Sequence, residues 1–64
     1  MRLKELRIIH GLTQKQVAEI IGVNVKTYRK YESGNYARMK ATKIVILMRY
    51  YCVTCDYLLG VSEV

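Results

Sequence analysis

Apolar residues along this 64-residue chain fall in short clusters with helical spacing, most of them running toward a glycine. Leu3 and Leu6 share a face at i, i+3, while Arg2, Lys4, Glu5 and Arg7 fill much of the remainder. That pattern predicts a helix over residues 2–10, ended by Gly11. His10 continues the stripe, and a lone His there reads as packed or half-exposed rather than as a ligand. Val17, Ala18 and Ile21 keep the 3.6-residue period and predict a second helix. Thr13 and Gln16 open it as a capping box: the hydroxyl accepts from an orphan amide and the Gln side chain reaches back. Gly22 stops it. Asn24 is suited to cap a third helix. There Tyr28 and Tyr31 lie on one face, and Val25, Lys26, Arg29 and Lys30 on the other. Gly34 ends that helix in a left-handed conformation.

Residues 40–51, "KATKIVILMRYY", read two ways. Their β-branched and aromatic content suits a strand. Ala41, Ile44, Leu47, Met48 and Tyr51 hold helical spacing, and the run is long for a buried strand. The pattern favours helix without excluding the strand. Thr54 then predicts the cap of a last short helix, "CDYLL", ended by Gly60. No linker, internal repeat or low-complexity segment interrupts the chain, so a single domain over 1–64 is expected.

Charge changes the picture more than composition does. Hydrophobic residues at 52% and charged residues at 25% are globular proportions. A chain this short buries only about 60% of its unfolded surface, so its core is thin. Eleven Lys and Arg against five Asp and Glu leave +6. Such a chain is drawn to polyanions, nucleic acid first and an anionic membrane surface second. Lys26, Arg29, Lys30, Arg38, Lys40 and Lys43 share one window whose only acid is Glu32, which favours a binding face over mere solubility.

Other classes find less support. The longest uncharged apolar run, "IVILM", is far too short to cross a bilayer, and "MRLKELRIIHGL" does not read as a secretory signal. A cytoplasmic location without membrane association is expected. Cys52 and Cys55 form a C-x-x-C, but no βαβ unit accompanies it, and His10 is the only histidine to complete a zinc set. Two small apolar residues at a turn is the plainer reading. With no nucleophile–base pair, carboxylate pair, metal set or cofactor motif in prospect, no enzyme is expected.

Two short helices joined by a tight glycine turn are the pattern of a helix-turn-helix. With Gln14 counted first, Ala18 is fifth, Gly22 ninth and Val23 tenth. Ala18 must be small where the helices cross, Gly22 must take a conformation costly for other residues, and Val23 plugs the gap between the helices. On these residues "LR…GLTQKQVAEIIGVNVKTYRKYESG" resembles the XRE-like, lambda-repressor and Cro type of helix-turn-helix domain. "VTCDYLLG" resembles the last helix of its bacterial members. The resemblance covers nearly the whole chain and implies an all-α bundle of about five short helices, with residues 40–51 helical. Where the family has a Pro and an N-cap residue before the fourth helix, this chain has Arg38-Met39-Lys40. The segment after Gly34 is also one residue longer.

The resemblance also implies roles. Tyr28 and Tyr31 would turn inward, leaving Val25, Lys26 and Lys30 to read bases in the major groove of double-stranded DNA, with Arg29 at the edge. Lys donates to guanine O6 and N7, and Val25 suits a thymine methyl. Each charge also fits a solvated face or a phosphate contact, and for Arg29 phosphate and base readings are equally open. Gln14 would contact a phosphate, or else supply ordinary helix-start polarity. Thr13 and Asn24 are caps that also face the backbone. Arg38, Lys40 and Lys43 would add phosphate contacts around the loop, or serve solubility. Arg7 and Glu32 would form a structural bridge between the first and third helices.

The function implied is a sequence-specific transcriptional regulator, a repressor binding a palindromic operator as a homodimer through residues 44–59. Val45, Ile46 and Tyr50, surplus to the expected core stripe, either form that dimer surface or thicken the core. Two alternatives keep the fold. One is a protein-interaction module such as the antitoxin of a toxin–antitoxin pair. The other is a nonspecific nucleic-acid binder, against which the inward-facing tyrosines count.

Overall fold

Helices form where the chain supplies both a start and a stop. The structure is a computed structural model that describes residues 1–61, so residues 62–64 of the expected domain lie outside the described residues. Its elements are α1 (Leu3–Ile9), α2 (Gln14–Ile21), α3 (Val25–Glu32), α4 (Ala41–Tyr51) and α5 (Cys55–Leu59). No strand occurs among the described residues, and the ambiguous 40–51 stretch folds as helix from Ala41 to Tyr51, with Lys40 as its N-cap.

The expected caps are present. Thr13 Oγ1 accepts from Gln16 N and Gln16 Oε1 accepts from Thr13 N, completing the capping box. Asn24 Oδ1 accepts from Lys26 N at 2.8 Å, and Thr54 Oγ1 from Tyr57 N at 3.1 Å. The five helices end alike, with a left-handed residue and a reversed pair of backbone bonds or one bond of that pair. At α2, Gly22 N donates to Glu19 O and Val23 N to Ala18 O. Cys52 takes the left-handed place at the end of α4, with φ +55°, where the other helices use glycine.

Packing follows the apolar stripes. Leu3, Leu6, Val17, Ala18, Ile21, Tyr28, Tyr31, Met39, Leu47, Tyr51 and Leu58 form one buried cluster. The α2–α3 pair makes the most extensive helix contact, and Val23 packs half-buried against the cluster. The last helix is tied to the first: Arg2 N donates to Leu58 O, Arg2 Nε to Tyr57 O, and the guanidinium lies 4.7 Å from the Tyr57 ring centre.

Three expectations need correction. Ala41 was expected in the core stripe of α4 but is exposed, because the chain inserts Met39 ahead of the helix instead. Met39 reaches the core from a turn closed by Met39 N donating to Tyr36 O at 3.0 Å. Cys52 is exposed rather than packed, at the left-handed turn that ends α4. Tyr36 and Tyr50 are exposed, so the tyrosines do not all turn inward. His10 is exposed as a residue, but its ring lies 4.7 Å from that of Tyr51, and its Nδ1 lies 2.9 Å from Leu6 O.

Candidate nucleic-acid interface

The turn between α2 and α3 fixes where the third helix points. Gly22 has φ +74°, a region costly for any residue with a Cβ. Space is not the obstacle, since a Cβ there would meet only Lys43 Nζ at 3.4 Å, the end of a flexible side chain. Ala18, just 2% exposed, lets the two helices approach closely.

On α3 the residues divide by face. Tyr28 is fully buried and Tyr31 nearly so, while Lys26, Arg29 and Lys30 are exposed. This is the division expected from spacing, with one difference. Val25 is half-buried against the core cluster, so it sits at the border of the two faces instead of fully on the outer one.

A polar relay ties α1, α2 and α3 together. Arg7 Nε donates to Glu32 Oε2 at 2.6 Å and Nη2 to Oε1 at 3.3 Å. Their side chains are only 14% and 6% exposed, so the expected bridge is bidentate and largely shielded from solvent. Arg7 Nη1 also donates to Leu12 O. Gln14 Nε2 donates to Glu32 Oε1 at 3.2 Å, and Gln14 Oε1 accepts from Arg29 Nε at 3.1 Å. The relay therefore runs from the buried pair out to the exposed face of α3.

Burial pushes the Glu32 carboxyl up, but the hydrogen bonds from Arg7 and Gln14, the nearby Tyr28 hydroxyl and the Arg7 charge outweigh it. The carboxyl is held below its ordinary value. The same bond raises Arg7 further above its already high value. Tyr28 Oη is buried without a hydrogen-bond partner. Burial, then Glu32, raises the Tyr28 hydroxyl far above its usual range. Burial also pushes the Tyr51 hydroxyl up to about 12.

Basic residues flank α3 at both ends. Arg38 and Lys30 line a cleft of about 400 Å³ with Thr27, Tyr31 and Asn35. Lys43, half-buried on α4, carries its ammonium over the Gly22 turn. Lys40 is exposed at the start of α4. Thr27 and Asn35 were not singled out from the sequence. Thr27 lies one turn before Lys30 and Tyr31, a spacing that marks it; Asn35 carries no such mark. Thr13 and Asn24 are exposed but already engaged as caps.

Away from α3, several large apolar side chains also reach the surface. Val45, Ile46 and Tyr50 of α4 are exposed, so they do not thicken this chain's core. Ile8 and Ile9 of α1 are also exposed, and His10, next in the chain, lies 6.3 Å from the Tyr50 ring. Leu59 extends the exposed set into α5. No helix among the described residues is long and apolar enough to cross a membrane.

Comparison with known proteins agrees with this geometry. The chain is 42% identical over 62 residues to an uncharacterized HTH-type transcriptional regulator, YobD, of Bacillus subtilis (strain 168), covering 97% of this chain and 54% of that protein. It is 38% identical over 63 residues to the HTH-type transcriptional regulator ImmR of the same organism, covering 98% and 49%. It is 37% identical over 59 residues to the HTH-type transcriptional regulator AnsR, again of that organism, covering 92% and 50%. The chain thus spans about half the length of the curated relatives it matches. No solved structure matches it. The helix-turn-helix family profile matches residues 3–58, from the first turn of α1 into α5, and the chain belongs to the XRE-type helix-turn-helix family.

Proposed function

We propose that residues 1–64 act as one DNA-reading domain of a transcriptional regulator, a repressor that binds a palindromic operator as a homodimer. The observation that carries this reading is the division of α3: two tyrosines anchor it while Lys26, Arg29 and Lys30 face outward with no acid among them. Residues near the start of such a helix reach base edges in the major groove. Lys26 and Lys30 suit guanine O6 and N7, and Val25, at the border, suits a thymine methyl. Arg38, Lys40 and Lys43 position the domain on phosphates, as do the Thr13 and Asn24 ends of α2 and α3.

Size supports a paired arrangement. The chain measures 29 × 25 × 19 Å. Half-sites of a palindrome lie about 34–36 Å apart, so two copies fit side by side on one face of the duplex. The apolar residues Val45, Ile46, Tyr50 and Leu59 within 44–59 supply the contact. Repression then follows by occlusion of the promoter, with no enzymatic step. The same exposed residues favour a second reading, a protein partner on that face, as in an antitoxin.

Selection from a randomised duplex pool, with affinity followed at two salt concentrations, tests the proposal. The expected result is enrichment of a two-fold symmetric site. Salt-sensitive binding without an enriched sequence would leave only a basic surface, and the repressor reading would fall.

A further inference from the structure

Resting on the DNA-reading role just proposed, we infer that Gln14 is a specificity-determining positioning residue: it holds the Arg29 guanidinium in a fixed orientation toward one base pair. The resemblance alone would make Gln14 a phosphate ligand. Its side chain is already bonded at both ends, with one Nε2 hydrogen left over. Nε2 donates to Glu32 Oε1 at 3.2 Å, and Oε1 accepts from Arg29 Nε at 3.1 Å.

The far end of this relay is firm. Glu32 is clamped by Arg7 in a bidentate pair whose side chains are 14% and 6% exposed. Gln14 is half-buried and starts α2, which its capping box holds in place. The amide is therefore fixed through Nε2, and its oxygen presents one acceptor to an otherwise free exposed arginine. A guanidinium has five N–H donors. Taking Nε removes the side-on mode of bidentate contact and leaves the four Nη donors as an end-on fork. That fork matches guanine O6 and N7.

The choice between base and phosphate follows from what fixing achieves. A phosphate is met adequately by a mobile cation, and Lys40 and Arg38 offer such charges from exposed positions. Orientation adds little to a point contact, but it raises discrimination between base edges by cutting the ordering cost of the right geometry alone. Arg29 also lies at i+3 from Lys26 on the outer strip of α3, and at i+4 from Val25 at its border.

The test uses the preferred duplex and all of its single base-pair variants. They are titrated with the full chain, with Gln14→Ala, Gln14→Met and Arg29→Ala, and with the double variant Gln14→Met/Arg29→Ala. Arg29→Ala is expected to lower discrimination at one base pair by about tenfold or more. Both Gln14 variants are expected to lower it at that same pair by about three- to tenfold, with no further loss in the double variant. Gln14→Met keeps the packing volume, so it separates the hydrogen bond from folding. Equal weakening on every duplex with a shallower salt dependence would make Gln14 a phosphate ligand and overturn the inference. Unchanged discrimination would overturn it as well. These results differ from failure of the DNA-reading role, in which the unsubstituted chain would prefer no duplex at all.

Discussion

The α2–turn–α3 unit and the stretch from Asn35 through α4 are built by different rules. In the first, each boundary is set locally: Thr13 and Gln16 close one helix start, Asn24 another, and Gly22 takes the left-handed corner. In the second, Lys40 stands at the N-cap and makes no side-chain cap bond, and Cys52 takes the left-handed corner with a side chain. The first stretch buries or half-buries its large apolar residues, whereas the second leaves Tyr36, Val45, Ile46 and Tyr50 exposed. Local rules are thus obeyed where the helix direction matters most, and relaxed where tertiary contacts or a partner surface take over.

The comparison breaks first at the buried pair that anchors α3. Glu32→Ala leaves the Arg7 guanidinium buried without its carboxylate and is expected to cost about 3–5 kcal/mol. A core this thin has little more than that to lose, so the variant should be largely unfolded by circular dichroism at room temperature. A well-folded Glu32→Ala would mean that α2 and α3 hold their geometry without the relay. Acid gives the graded version. Because Glu32 is held below its ordinary value of 4.5, the stability it supplies is complete above that pH. It is lost as pH falls through the lowered value. At the alkaline end Tyr51, raised to about 12, supplies stability that is complete below pH 10 and lost as pH rises toward 12. Thermal melts across pH should show both edges, with the acid edge absent in an Arg7→Leu/Glu32→Leu double variant.

The same division decided what was legible in the sequence. Caps, glycine stops and the small–Gly–Val spacing at Ala18, Gly22 and Val23 act over a few residues, so they could be read in order along the chain. A 3.6-residue period likewise put Tyr28 and Tyr31 on one face, and the resemblance implied that this face turns inward. Ala41 in place of Met39 was misjudged because the core contact before α4 comes from a turn, where periodicity carries no information. The Gln14–Arg29 bond was missed for a related reason: it joins residues 15 apart on different helices. The pairing of Arg7 with Glu32 was accessible only through resemblance, since no local pattern links positions 25 apart.

Gly22→Val tests the turn alone. Forcing a β-branched residue to φ +74° is expected to cost about 2 kcal/mol. In a chain of this size that corresponds to a melting temperature lower by roughly 8–16 °C. An unchanged melting temperature would show that the corner can relax without disturbing α3.

Lys40→Asp asks whether the uncapped start of α4 trades stability for charge. A carboxylate at the N-cap accepts from the first-turn amides, and the gain should be about 1 kcal/mol. Removing a phosphate contact should at the same time weaken binding to all duplexes alike and reduce the salt slope by about one. Greater stability with unaltered DNA affinity would remove Lys40 from the interface.

Cys52→Gly is the mirror of the Gly22 substitution. At Gly22 adding a side chain is harmful; at Cys52, with φ +55°, removing one should help. A left-handed L-residue costs about 1–2 kcal/mol, and glycine returns roughly 0.5–1 kcal/mol of that through the freedom of the unfolded chain. The Sγ contact to Arg49 O, at 3.6 Å, is a weak bond to lose. The net expectation is a gain of about 0.5–1 kcal/mol, read as a melting temperature a few degrees higher. If the variant instead melts lower, the thiol contributes more at the α4–α5 corner than its geometry indicates. The left-handed cost would then be offset by contacts of Cys52 itself, and the corner would belong with the locally determined half of the molecule.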